Sequence, residues 1–180
     1  MHEDIETVLF SEEDLRTRIE QMGLQITEDY ADRDLVVVSV LRGAAIFMSD
    51  LCRAIDLSLE MDYLAVSSYG DETESSGVVR MEKDLSSAIE GRDVLLLEDI
   101  YDSGLTLRSL LRTLQSRRPA SLETAVLLHK QTEQQEAFDL RYVGFTCPDA
   151  FIVGYGLDYA QRYRNLPYIG VLKPEVYQRR

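Results

Sequence analysis

The chain has 180 residues, 45% hydrophobic and 28% charged, which suits one folded domain of ordinary size. There is no apolar run of about 18 residues to span a bilayer, and the acidic start Met1-His2-Glu3-Asp4 lacks the apolar segment of a secretory leader. The formal net charge of −13 argues against a nucleic-acid surface, which needs a clustered basic face. It also means that a phosphorylated ligand must be held by local amides, a few placed cations and a metal, not by the overall field.

Ser11 is a candidate helix N-cap, with Glu12, Glu13 and Asp14 in the first turn and Leu15, Ile19, Met22 and Ile26 on one face. Leu35–Leu41 is a β-branched run and predicts a buried strand. Arg42-Gly43 follows, then a helix with Met48, Leu51, Cys52 and Ile55 in a stripe. At the top of a sheet, Arg42 and Gly43 offer a cation and bare amides suited to a pyrophosphate, though the pair equally fits a plain turn. Cys52 and Cys147 sit in apolar surroundings without metal-site spacing and are expected to be reduced core residues of a cytoplasmic protein. Leu57, Leu59, Met61, Tyr63 and Ala65 alternate as in a half-exposed strand. Ser67-Ser68-Tyr69-Gly70 and a polar run lead to a return strand at Val79–Lys83.

The stretch from Asp93 to Leu107 carries most of the chemistry. Val94–Leu97 is apolar on both faces, as in a parallel strand covered by helices. It delivers two adjacent acids, Glu98 and Asp99. A turn follows with a third acid, Asp102, then Ser103-Gly104-Leu105-Thr106. Leu107, Leu110, Leu111 and Leu114 then fall at helical spacing. A loop between a strand's carboxyl end and a helix's amino end is where open α/β sheets bind ligands. Ser103–Thr106 is small and hydroxyl-rich, and its free N–H groups form a cradle for a phosphate. Glu98 and Asp99 would repel a phosphate. They suit sugar hydroxyls, a divalent metal or a developing positive charge. A ribose 5-phosphate donor satisfies both halves of the loop.

Beyond it, Arg117-Arg118-Pro119 ends the helix. Leu122–Leu128 is another apolar strand, running into His129 and Lys130, and a polar segment follows from Gln131 to Ala137. The stretch from Gly144 to Tyr168 predicts a strand, a glycine-punctuated turn and an aromatic-rich return. Ile169–Leu172 predicts a last strand, and Lys173–Arg180 an exposed tail.

Glu98-Asp99-Ile100-Tyr101-Asp102-Ser103-Gly104-Leu105-Thr106 resembles the 5-phosphoribosyl-1-pyrophosphate (PRPP) signature of type I phosphoribosyltransferases. Val153-Gly154-Tyr155-Gly156-Leu157-Asp158-Tyr159 resembles the purine-binding end of the hypoxanthine-guanine branch. The resemblance runs from about Ser11 to Leu172. It implies an α/β fold with a mostly parallel sheet flanked by helices. Residues 1–180 would form one domain, with a core over about 30–150 and a small hood from the N-terminal segment and about 151–180.

The implied activity is transfer of the phosphoribosyl group to N9 of hypoxanthine or guanine, giving IMP or GMP and pyrophosphate. The implied cofactor is Mg2+ and the implied assembly a homodimer or homotetramer. By the same resemblance, Ser103–Thr106 would hold the 5-phosphate, Glu98 and Asp99 the ribose hydroxyls directly or through magnesium, and Asp102 would exchange a proton at purine N7. Arg42, Gly43 and Arg164 would face pyrophosphate, Asp158 would reach a magnesium, and Ser68 and Tyr69 would close as a lid. Lys130 would meet the oxygen at the purine 6-position, Phe151 would stack on the base, and the backbone at Ile152 would read its edge. An ammonium only donates hydrogen bonds, so Lys130 favours a 6-oxopurine over adenine. Some members carry an arginine near Gln134, absent here. Rival readings are a xanthine or pyrimidine acceptor, and an RNA-binding regulator of this fold, which the acidic composition opposes.

Overall fold

The computed structural model describes residues 1–68, 79–132 and 138–178. In chain order the elements are β1 (Ile5–Phe10), α1 (Glu12–Asp29), β2 (Leu35–Leu41), α2 (Ala45–Ala54), β3 (Glu60–Ser68), β4 (Val79–Lys83) and β5 (Asp93–Tyr101). Then come α3 (Leu105–Gln115), β6 (Ser121–Lys130), β7 (Tyr142–Cys147), β8 (Ile152–Val153), β9 (Ile169–Leu172) and α4 (Pro174–Tyr177).

Six strands form one sheet in the order β4-β3-β2-β5-β6-β7, parallel except for the edge strand β4. Both faces are covered, which is why its central strands carry apolar runs such as Leu35–Val38 and Val94–Leu97 rather than an alternating pattern. Val37, Leu95 and Leu97 pack with Leu15, Ile19, Met22 and Ile26 of α1 and Phe47, Met48 and Leu51 of α2. Val36, Val38, Val94 and Leu96 pack with Leu107, Leu110 and Leu114 of α3 on the other side. The period of two thus alternates between helical layers rather than between core and water.

From β2 the chain moves one way along the sheet, to β3. From β5 it moves the other way, to β6 and β7. The order therefore reverses between β2 and β5, and a crevice opens there at the carboxyl ends. A second sheet, β1-β9-β8, is antiparallel and joins the two ends of the chain above that crevice.

The predicted helix start at Ser11 is a complete capping box. Ser11 Oγ accepts from Asp14 N at 3.2 Å, and Ser11 N donates to Asp14 Oδ2 at 2.9 Å. Two expectations change. Met61 lies on the expected apolar face of β3 but is 43% exposed, whereas Asp62 is 5% exposed. Asp62 is buried because it accepts from Tyr63 N, Ser86 N and Lys83 Nζ at 2.8, 2.6 and 3.3 Å, tying the base of the β3–β4 hairpin. Nor is residue 173 onward simply an exposed tail. It forms α4, and Val176 and Tyr177 pack on the hood cluster of Val153, Tyr163, Leu166 and Leu172.

Candidate active site

Three adjacent strand ends build the site. β2 runs into Arg42-Gly43, β5 into residues 102–106, and β6 ends at Lys130. Glu98 and Asp99 still belong to β5, which extends to Tyr101, beyond the apolar run. Gly104 takes φ 84° as the N-cap of α3, so Leu105 and Thr106 open the helix with their amides directed at the turn. A cavity of about 270 Å3 lies here, lined by Glu98–Gly104, Thr106 and Leu107. A larger one, about 710 Å3, lies between α1, α2 and residues 165–167. It is lined by none of the expected site residues, several of which line the smaller cavity.

Glu98 and Asp99 are adjacent carboxylates in a dry place. Burial, and then the neighbouring Asp99, push the Glu98 carboxyl well above the usual range. Burial also raises Asp99, against the Ile100 amide and the Arg164 guanidinium, which lower it. Such a pair calls for positive charge from a ligand. The donors are hard oxygens, fit for a divalent cation that keeps waters and substrate oxygens in its shell. Among the described residues no group of three or more His, Cys, Asp or Glu is placed to hold a metal without such help.

Gly43 makes this packing possible. A Cβ on Gly43 would lie 1.7 Å from Asp99 Oδ2, and one on Gly156 would lie 2.0 Å from Gly43 O. The Asp99 carboxylate, the Arg42-Gly43 turn and the 154–158 turn are thus stacked on one another. The Leu41–Arg42 peptide is cis. Arg164 Nη1 donates to Gly156 O at 2.6 Å, and Arg164 Nη2 lies 2.6 Å from Asp158 Oδ1. Arg42 Nη1 and Arg164 Nη2 donate to the same oxygen, Gln161 Oε1, at 3.0 and 3.2 Å. Two guanidinium groups therefore converge beside the buried acids.

On the other side, Lys130 Nζ lies 2.7 Å from Asp149 Oδ1 and 3.6 Å from Asp102 Oδ2. Burial would lower the Lys130 ammonium, but Asp149 and Asp102 outweigh it and hold the group above its ordinary value, fully charged at neutral pH. Phe151 is 39% exposed, while Ile152 and Val153 beside it are buried.

A family model described as the phosphoribosyl transferase domain matches residues 11–160. The hypoxanthine-guanine phosphoribosyltransferase of Bacillus subtilis (strain 168) is 51% identical over 178 residues, 99% of this chain and 99% of that protein. The chain belongs to the hypoxanthine-guanine phosphoribosyltransferase family. The bifunctional protein TilS/HprT of Listeria innocua is 52% identical over 177 residues, 98% of this chain but 27% of that protein, so the chain spans about a quarter of that relative's length. A crystal structure of a hypoxanthine phosphoribosyltransferase from Staphylococcus aureus superposes with a TM-score of 0.95 at 51% identity, covering 98% of this chain and 96% of that one.

Set against the phosphoribosyltransferase expectation, Glu98, Asp99, Asp102, Ser103, Gly104 and Thr106 line one cavity, with Leu105 opening α3 beside it. Arg42, Gly43, Asp158 and Arg164 meet beside Asp99, and Lys130 meets Asp102. Tyr69, the side chain of Ser68 and Gln134 lie outside the described residues. Both thiols are free, and burial raises each to about 11, in keeping with reduced core cysteines. No described helix is long and apolar enough to cross a membrane.

Sequence reasoning missed Gln161, which joins the two arginines, and Asp149, which holds Lys130. Asp149 had a readable signal, an acid two residues before Phe151. Gln161 had none beyond its place in the segment.

Proposed function

We propose that this chain is a purine salvage enzyme, transferring the 5-phosphoribosyl group of PRPP to N9 of hypoxanthine or guanine and giving IMP or GMP and pyrophosphate. The observation that carries this reading is the carboxylate pair of buried Glu98 and half-buried Asp99, delivered by β5 onto the amide turn at Ser103–Thr106 and facing the arginines across Gly43. The whole-length relatives of that activity support it.

In this reading the 5-phosphate sits on the amides of Ser103–Thr106 at the start of α3. Glu98 and Asp99 accept from the ribose hydroxyls and stabilise positive charge developing at C1 as the bond to pyrophosphate breaks. Arg42 and Arg164, prealigned by Gln161, hold the departing pyrophosphate, with the Gly43 amide between them. Glu98, Asp99 and Asp158 are the oxygen donors for Mg2+, which when bound neutralises pyrophosphate charge. Phe151 stacks on the base, the Ile152 backbone reads its edge and Lys130 donates to the 6-oxygen. Asp102 takes the proton at N7 as N9 bonds to C1. The enzyme acts in the cytoplasm as a homodimer or homotetramer, a state that sedimentation measures.

A panel of bases with PRPP and magnesium, followed by pyrophosphate release, tests the assignment. Turnover is expected with hypoxanthine and guanine. Turnover confined to adenine, uracil or xanthine would overturn it.

A further inference from the structure

Two aromatic rings pack on Phe151. Tyr177 of α4 stacks on it, with ring centroids 4.7 Å apart and planes 17° from parallel. Tyr159 meets it edge-on, 5.5 Å away at 87°. Tyr177 belongs to the hood packing around Val153, Tyr163, Leu166 and Leu172, so the face of Phe151 that it covers is the hood face. Phe151 remains 39% exposed despite these two contacts. The start of α4 is fixed from both sides. Leu172 N donates to Phe151 O at 2.8 Å, and Lys173 N donates to Asp4 O at 2.9 Å.

We propose that Tyr177 is a positioning residue for the acceptor base. It backs the Phe151 ring so that the exposed face stays in one orientation for a 6-oxopurine, and base, Phe151 and Tyr177 form a three-ring stack. This rests on the reading of Phe151 as the base platform. A ring on two rotatable bonds loses stacking whenever it turns, and backing it removes that freedom before the base arrives. An aromatic pair of this geometry corresponds to roughly 3- to 10-fold in binding.

Steady-state kinetics of wild type, Tyr177→Phe and Tyr177→Ala, with hypoxanthine and PRPP varied in turn, test it. Tyr177→Ala is expected to raise KM for hypoxanthine roughly 3- to 10-fold, leaving kcat and KM for PRPP within about twofold, and Tyr177→Phe to restore the wild-type value. An unchanged base KM overturns the inference. So does an equal rise in both KM values, which marks a general loss of structure. So does a fall in base KM, which would mean that Tyr177 competes for the stacking face. Should Tyr177→Ala not fold, Tyr177→Leu keeps the apolar bulk without the π-face, and the same selective rise is required of it. Phe151→Ala separates the two layers: if it leaves base KM unchanged, the platform reading fails and takes this inference with it. If only the Tyr177 variants are silent, the platform stands and the inference alone falls.

Discussion

Gly43→Ala is the sharpest test of the geometry around the buried acids. Gly43 does not have a left-handed φ, so the added methyl acts by volume alone. It would lie 1.7 Å from Asp99 Oδ2 and 2.5 Å from Asp99 Cγ. Relief to ordinary contact needs a retreat of about 1.7 Å or more, and overpacking of this kind costs about 1–3 kcal/mol. For a chain of this length that is a fall in Tm of roughly 2–12 °C. The catalytic penalty is larger, since a misplacement of about 1 Å costs on the order of 100-fold in rate. Thermal unfolding gives the first number and pyrophosphate release with saturating hypoxanthine the second. Unchanged Tm together with activity within about threefold of wild type would refute the stacked arrangement of Asp99 and Gly43.

Two other carboxylates give further tests. Asp102→Ala is expected to lower kcat by about 100- to 10,000-fold while KM for PRPP moves little, and activity within a few-fold of wild type would remove Asp102 from proton transfer. Three amide and ammonium donors hold the Asp62 carboxyl below its ordinary value despite the burial that pushes it up. A depressed folded-state value stabilises above the unfolded value of about 3.9 and is lost as pH falls through the folded one. Asp62→Asn is therefore expected to cost about 2–4 kcal/mol near pH 7 in urea unfolding, with the gap to wild type closing toward pH 3. A gap that stays constant down to pH 3 contradicts the charge-assisted account.

The parts legible in the sequence were those whose cause is local. The apolar run at Val94–Leu97, the acids behind it and the helical spacing from Leu107 fixed β5, the loop and α3 before any contact was known. Ser11 and Asp14, three residues apart, gave the start of α1. What escaped depends on partners far along the chain. β1 is short, half of its residues are exposed, it shows no clear alternation, and it is a strand because β9 pairs with it. Asp62 reads as an outward polar residue until Lys83 and Ser86 arrive across the hairpin. Gln161 gains its role only when residues 42 and 164 meet over it.

The pairing of β1 with β9 bears on how the molecule matures on the ribosome. The six-stranded sheet, with the turn at residues 102–106 and the lysine ending β6, is complete in sequence by Cys147. The hood needs residue 172, so its first strand has to wait, unpaired, for the last one to emerge. Chains fold amino end first during synthesis, and a contact of such sequence separation closes late. The turn at residues 102–106 and Lys130 are therefore formed on the nascent polypeptide before Phe151, Asp158 and Arg164 can join them.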